Sequence, residues 1–360
     1  MDYLAEESKR KLASIQLIKE LKPIKGADFI ELAVVNGWQC VVKKGTFKEG
    51  DKCVYFEIDS LLPIEDKYSF LEKSSYRKPN SANPEGYRLR TVKLREQISQ
   101  GLVLPLTSFE EDLTNLGVGE DVTKRLGVRK YEIPVTNSGF GVSSGEYSPL
   151  TSKTDEPRVQ SNLELLDELK GKPYYMTVKY DGSSMTITYI NGELRVYSRT
   201  KEYARPKESQ LTSNKRESSL WYVVEKLGIE EKLKSYNQDI ILKGEYIGPG
   251  VQKNLLGLKD LSLALFTIEK PIQENSKQFK RVSYHEFVTV SRELGIPTVD
   301  IEEVGDSFDY SIEELVEKSK GRYSSGKHRE GLVIRPQYSL EDNELSFKVI
   351  NNDYLLKEED

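Results

Sequence analysis

Short runs of hydrophobic and polar residues alternate through the first hundred positions, the period-two signature of half-buried strands. Residues 10 to about 62 read as β structure, opening with Leu12–Ile18. The runs Leu32–Val35 and Trp38–Val42 flank Asn36-Gly37, a pair suited to a tight hairpin because both residues tolerate positive φ. Lys52–Ile58 follows the turn Lys48-Glu49-Gly50-Asp51. Several short strands at this spacing predict a small barrel. The stretch 65–87 is polar and rich in Ser, Pro and Asn, and reads as a long insertion. Strand character returns at Tyr87–Leu94 and Gly101–Leu106.

Residues 137–157 are rich in Gly, Ser, Thr and Pro and form the best linker candidate. Beyond them the pattern becomes mixed. Leu163–Leu169 predicts a short helix, and Tyr174–Ser198 a hairpin closed by Asn191-Gly192. Ser218–Tyr236 carries Leu220, Val223, Val224 and Leu227 at helical spacing. Strands are expected at Ile240–Ile247, Leu261–Ile268, Glu330–Pro336 and Leu345–Ile350, and helices at Ser283–Leu294 and Ile312–Ser319. The expected fold class is therefore α+β. An N-terminal β-barrel domain (1–130) is joined by a linker (131–157) to a mixed domain (158–360) of antiparallel sheets and flanking helices.

Composition narrows the class of protein. The 360 residues are 31% charged and 37% hydrophobic, with no apolar run near the roughly 20 residues of a membrane span. The acidic N-terminus has no apolar signal core, so a cytoplasmic location away from membranes is expected; the chain is also expected to be a monomer. Cys40 and Cys53 lie in strand-like runs and read as reduced buried thiols. His285 and His328 are far apart and give no zinc-ligand spacing. A net charge of −5 means that nucleic acid could be bound only through local patches. Two candidates are Arg77-Lys78 with Arg88, Arg90, Lys93 and Arg95, and Arg199, Lys201, Arg205, Lys207, Lys215 and Arg216. Both are interleaved with acids and also read as solvated faces.

The candidate chemistry centres on Lys179-Tyr180-Asp181-Gly182. On a strand, Lys179 and Asp181 would share a face, and Gly182 would let the backbone turn tightly beside a nucleotide. A lysine becomes nucleophilic only on losing a proton, so nearby cations such as Lys348 and Mg²⁺, or desolvation, must lower its pKa. Downstream, Arg199, Glu245, Phe266, Glu330 and Lys348 follow in order on strand-like segments. Cations would stabilise charge at phosphorus, carboxylates hold Mg²⁺ through its waters, and an aromatic stack on a base.

In this order the residues resemble the covalent nucleotidyltransferases, the ATP-dependent ligases and messenger RNA capping enzymes. Their KxDG, arginine, glutamate, aromatic, EGhhhR and closing-lysine motifs all have counterparts between 179 and 351. The segment Lys153–Asn162 resembles the KTDExRVQN signature of many RNA ligases. An N-terminal barrel that looks like a tRNA-binding-type OB domain, and only 12 residues after Lys348, resemble the fifth RNA ligase family, which seals nicks in duplex RNA or RNA–DNA hybrids. The resemblance implies an ATP-grasp-like ligase core, ATP with Mg²⁺ or Mn²⁺ as cofactors, and a nicked duplex as partner.

It further implies that Lys179 forms the lysyl–AMP. Arg158 would contact the ATP phosphates, and Arg199 the ribose or a bound phosphate. Glu245 would contact the sugar or the metal shell, and Phe266 would stack on adenine. Asp181, Glu245 and Glu330 would position hydrated Mg²⁺, with Gly182 beside the nucleotide and Lys348 on the α-phosphate. One departure stands out. Many members carry K-x-K in the last motif, and here Ser346 takes the first place, so either one lysine suffices or another, such as Lys243, contributes. A GTP-dependent capping guanylyltransferase and a non-catalytic RNA-binding protein with a decayed core remain alternatives at this point.

Overall fold

The computed structural model describes residues 10–132, 139–147, 150–151, 155–206, 219–273, 276–338 and 345–357. The chain forms two compact units.

The first unit comprises Met1–Val135, Gln160–Leu163 and Leu355–Asp360. One antiparallel sheet places Lys52–Phe56 between Ala13–Leu17 and Leu102–Pro105; another runs Glu20–Pro23, Ile30–Val35, Trp38–Lys43. Asn36 has φ +50° at the tip of the expected hairpin. The core gathers Ile15, Val54, Phe56, Leu62, Tyr68 and Phe109. Tyr68 comes from the polar stretch expected as an insertion, and its ring stands edge-on to Phe56 at 5.8 Å. That aromatic anchor folds the stretch into a 3₁₀ turn (Asp66–Leu71), a short helix (Glu72–Ser75) and a strand pair (Tyr76–Arg77 with Gly86–Arg88).

Cys40 and Cys53 are free and buried, as expected, and burial pushes the Cys53 thiol up to about 12. Arg88, by contrast, leaves its basic patch. It is buried, with its guanidinium 4.4 Å from the centre of the Tyr131 ring and 3.8 Å from Asp59.

The second unit comprises Thr136–Val159 and Glu164–Tyr354. A seven-stranded antiparallel sheet runs in the order Ser143–Glu146, Lys201–Tyr203, Glu193–Ser198, Ser183–Ile190, Ile240–Ile247, Ser262–Pro271, Phe279–Arg281. Its first strand lies in the Gly/Ser-rich stretch expected as linker. Phe140 anchors that stretch by packing edge-on against Tyr203 and Tyr246. A four-stranded sheet runs Ile301–Gly305, Tyr174–Lys179, Gly331–Pro336, Phe347–Ile350.

Two expectations change here. The hairpin closed by Asn191-Gly192 is present, but Tyr174–Lys179 is not part of it: the chain leaves the four-stranded sheet at Lys179 and enters the seven-stranded one at Ser183. Alternation alone does not say which sheet a strand joins. The helix expected over 218–236 is broken. Ser219–Lys226 and Ile229–Tyr236 are separated by Gly228, whose φ of +60° no helix continues through.

Ser283 caps Tyr284–Leu294 by accepting from the Glu286 N–H, and Ser311 with Glu314 forms a capping box on Ile312–Ser319. The Leu220, Val223, Leu233, Phe287 and Val290 side chains cover one face of the large sheet. Among the described residues, no helix is long and apolar enough to cross a membrane.

Candidate active site

Lys179 is the last residue of its strand, and its side chain is 20% exposed. Its Nζ donates to Glu330 Oε2 at 2.6 Å. Glu330 immediately precedes the neighbouring strand Gly331–Pro336, whose Gly331 pairs with Lys179. Asp181 lies beyond the strand, in the crossover, so strand alternation does not set its direction as expected; Tyr354 holds its carboxylate with a 3.0 Å hydrogen bond. Gly182 packs so closely on the strand Ile240–Ile247 that a Cβ would sit 2.5 Å from the Tyr246 carbonyl oxygen. Glu245, on that strand, therefore comes into the field of Lys179, Asp181 and Glu330.

The electrostatics run against one expectation. Burial alone would lower the Lys179 pKa, but the charges of Glu330 and Glu245 outweigh it, and the net direction is up. The carboxylates show the complementary strain. Burial pushes Glu245 up to about 8, helped by Glu330 and Asp181 against the pull of Lys179. Burial and Glu330 push Asp181 up to about 6. Three carboxylates crowd one ammonium, and a further cation is what would relieve them. Among the described residues, no three Asp, Glu, His or Cys side chains converge closely enough to ligate a metal directly. Asp181, Glu245 and Glu330 offer carboxylate oxygens, the donors that a hydrated divalent cation takes.

A second group of cations borders this cluster. The Lys348 N–H donates to the Pro157 carbonyl at 2.9 Å, and Arg158 bridges to Lys348 in parallel. Burial lowers the Lys348 pKa; Asp155 opposes this, and Lys179 and Arg158 add to it. Asp155 receives Arg199 Nη2 at 2.9 Å and Lys348 Nζ at 3.1 Å. Glu156 receives Arg335 Nη2 at 2.6 Å, and the Arg335 guanidinium lies 5.7 Å from the centre of the Phe266 ring. Phe266 is the extra residue of a bulge, where the pairing jumps from Thr267 to Leu265 opposite Lys243 and Gly244.

The structure thus brings together Lys179, Asp181, Gly182, Glu245 and Glu330, with Arg158, Arg199, Lys348 and Phe266 around them. It does not bring Lys243, whose ammonium is tied in a buried ion pair with Glu269. Ser346 sits two residues before Lys348, with no second lysine supplied from that strand.

Sequence reasoning assigned no role to Tyr323. Its hydroxyl donates to the Lys179 carbonyl at 2.7 Å and accepts from the Asp181 and Glu330 N–H groups, each at 3.0 Å. Nothing in the local sequence marks it. Arg335 closes the run Glu330–Arg335, the counterpart of the EGhhhR motif. Lys207, Lys215 and Arg216 of the second basic patch, and Lys153 and Thr154 of the RNA-ligase-like signature, lie outside the described residues.

An OB-fold domain profile matches residues 12–106, and an RNA ligase profile matches residues 172–350. Naegleria gruberi RNA ligase with PPi is 35% identical, with a TM-score of 0.82 over 96% of this chain and 98% of that one. A variant of the same ligase with ATP and Mn is 34% identical, with a TM-score of 0.84 over 98% of this chain and all (100%) of that one. A further variant, with AMP and Mn, is 35% identical, with a TM-score of 0.84 over 96% and 98%. No curated protein sequence matches. Fold and site define a ligase with an OB-fold domain ahead of its core. The chain belongs to the RNA ligase family.

Proposed function

We propose that this chain is an ATP-dependent RNA ligase that joins a 3′-OH to a 5′-phosphate at nicks in duplex RNA or RNA–DNA hybrids. The observation that carries the reading is Lys179: a half-buried amine at the end of its strand, facing Glu330, Glu245 and Asp181, with Lys348 and Arg158 adjoining. The Naegleria ligase structures with ATP, AMP and Mn support it through the shared fold.

In the first step, deprotonated Lys179 Nζ attacks the α-phosphorus of ATP. A phosphoramidate N–P bond forms, and the bond to the bridging oxygen breaks, releasing pyrophosphate. In the second, an oxygen of the RNA 5′-phosphate attacks the same phosphorus and regenerates the lysine, leaving AMP linked to RNA through a pyrophosphate. In the third, the 3′-OH attacks the RNA phosphorus, AMP leaves, and the new phosphodiester closes the nick.

Glu330 holds the resting lysine as an ammonium, so it must surrender that contact before attack. Asp181, Glu245 and Glu330 would hold a hydrated divalent cation. When bound, that ion supplies positive charge that lowers the lysine pKa and offsets charge on the phosphates. Lys348, Arg158 and Arg199 bind phosphate oxygens, and Phe266, backed by Arg335, presents a face to adenine. The OB-fold domain holds the duplex beside the nick.

The test is covalent labelling with α-labelled ATP and Mg²⁺. Wild-type protein is expected to take up label, and Lys179→Ala none; label on the variant would remove the assignment. Labelling by GTP rather than ATP would instead favour a capping enzyme. Sealing assays over all RNA/DNA strand combinations then define the substrate.

A further inference from the structure

We infer that Asp155 is a phosphate placeholder: its carboxylate spaces Arg199 and Lys348 for a nucleotide phosphate and yields that place when the nucleotide enters. The inference rests on the ligase reading and deepens it at one subsite.

The geometry is that of a two-oxygen anion between two cations. Asp155 Oδ2 takes Arg199 Nη2 at 2.9 Å, and Oδ1 takes Lys348 Nζ at 3.1 Å. The two cations come from different sheets. Arg199 follows the strand Glu193–Ser198 of the large sheet, and Lys348 lies in Phe347–Ile350 of the small one. Without an anion between them they would repel, and an entering phosphate supplies that anion in place of the carboxylate. One oxygen on each cation is also how a phosphate would engage them.

The neighbouring residue shows what an exchangeable contact looks like by contrast. Glu156 turns inward onto Arg335, and their side chains are 17% and 2% exposed. Asp155 and Arg199 are 45% and 49% exposed. An ion pair as open as the latter is weak and easily traded, whereas the former is fixed. The backbone delivers the carboxylate reliably, because Pro157 is hydrogen-bonded to the Lys348 N–H two residues on. A polyphosphate carries more charge than one carboxylate and displaces it. Asp155 thus holds the place of the phosphate between nucleotides and competes for it, acting as a positioning residue rather than a catalytic one.

The experiment compares wild-type protein with Asp155→Asn, which keeps the shape and removes the charge. Pyrophosphate affinity and the ATP KM for lysyl–AMP formation are measured on the full chain. The variant is expected to bind pyrophosphate roughly three- to tenfold more tightly, the gain from removing a half-exposed competitor. Its ATP KM falls, and kcat does not rise in proportion. In a Lys348→Met background the same substitution gives a smaller gain. Unchanged or weaker pyrophosphate binding, or an equal gain without Lys348, overturns the inference. Asp155→Ser gives the same readout should the asparagine variant fold poorly. Wild-type protein that takes no label from ATP removes the ligase reading itself. Labelled wild type with no gain in the variant removes only the placeholder.

Discussion

Tyr323 donates its phenolic proton to the main-chain carbonyl of Lys179 at 2.7 Å, across 144 residues of sequence. The same oxygen accepts the N–H groups of Asp181 and Glu330. One hydroxyl therefore fixes the backbone on both sides of the Lys179–Glu330 ion pair.

Tyr323→Phe should accordingly damage the reaction more than the fold around it. It leaves a carbonyl and two N–H groups short of a partner, at a cost of about 1–3 kcal/mol for each one that water does not reach. We expect the lysyl–AMP formation rate to fall about tenfold or more, with a smaller change in ATP affinity. Single-turnover labelling beside equilibrium ATP binding separates the two. An unchanged rate would show that the three hydrogen bonds do not set the geometry.

Gly182→Ala should be more severe. Its Cβ would meet the Tyr246 carbonyl oxygen at 2.5 Å and the Glu245 Cγ and Ile247 Cγ2 at 2.8 Å each. Because the obstacle includes backbone, relief requires moving the strand that carries Glu245. A loss of roughly 1–3 kcal/mol in stability is expected, with labelling nearly abolished. Thermal unfolding and ATP labelling together check it.

Glu156→Ala should cost stability through the partner it abandons. Burial raises the Glu156 pKa, but the charges of Arg335 and Lys348 outweigh this and hold it below the ordinary carboxylate range. Removing it strands the buried Arg335 guanidinium, a defect worth about 3–5 kcal/mol. Denaturant unfolding of Glu156→Ala and of the double variant with Arg335→Met measures it. The double variant should recover part of the loss.

Glu303 gives a dependence on acid. Its carboxylate lies 2.5 Å from Lys318 Nζ and accepts from the Tyr174 and Tyr310 hydroxyls. Burial raises its pKa, but these partners outweigh burial, and the net shift is down from 4.5. A carboxyl depressed in the folded state stabilises above its unfolded pKa, and that stability is lost as pH falls through the folded value. Glu303→Gln should therefore be less stable than wild type near neutrality, and the gap should close below about pH 4.5. Thermal unfolding from pH 7 to pH 3 tests this, and a gap of constant size would contradict it.

The elements with local causes were legible. Asn36-Gly37 and Asn191-Gly192 close the hairpins expected of them because both residues of each turn tolerate positive φ. Ile240–Ile247 and Ile312–Ser319 have the bounds expected of them. What was not legible depends on residues distant in sequence. Alternation marks Tyr174–Lys179 as a strand but carries no sign of its sheet. Asp155 finds Lys348 across 193 residues, and Tyr323 has no local signature at all. The ordered motifs pointed to residues that the structure does bring together, yet the charge state of Lys179 follows from burial beside Glu330 and Glu245, which a linear reading leaves open.

The crossover at Tyr180–Gly182 sets a mechanical limit. Only three residues join the strand ending at Lys179 to the strand beginning at Ser183 in the other sheet. Four extended residue steps span at most roughly 14 Å, and the contact of Gly182 with Tyr246 takes up any slack. The two sheets cannot part along this seam. Any widening between the two sheets would pivot about it, with the larger movement at the opposite rim. Lys179, the residue proposed as nucleophile, would thus sit at that pivot, where displacement is smallest.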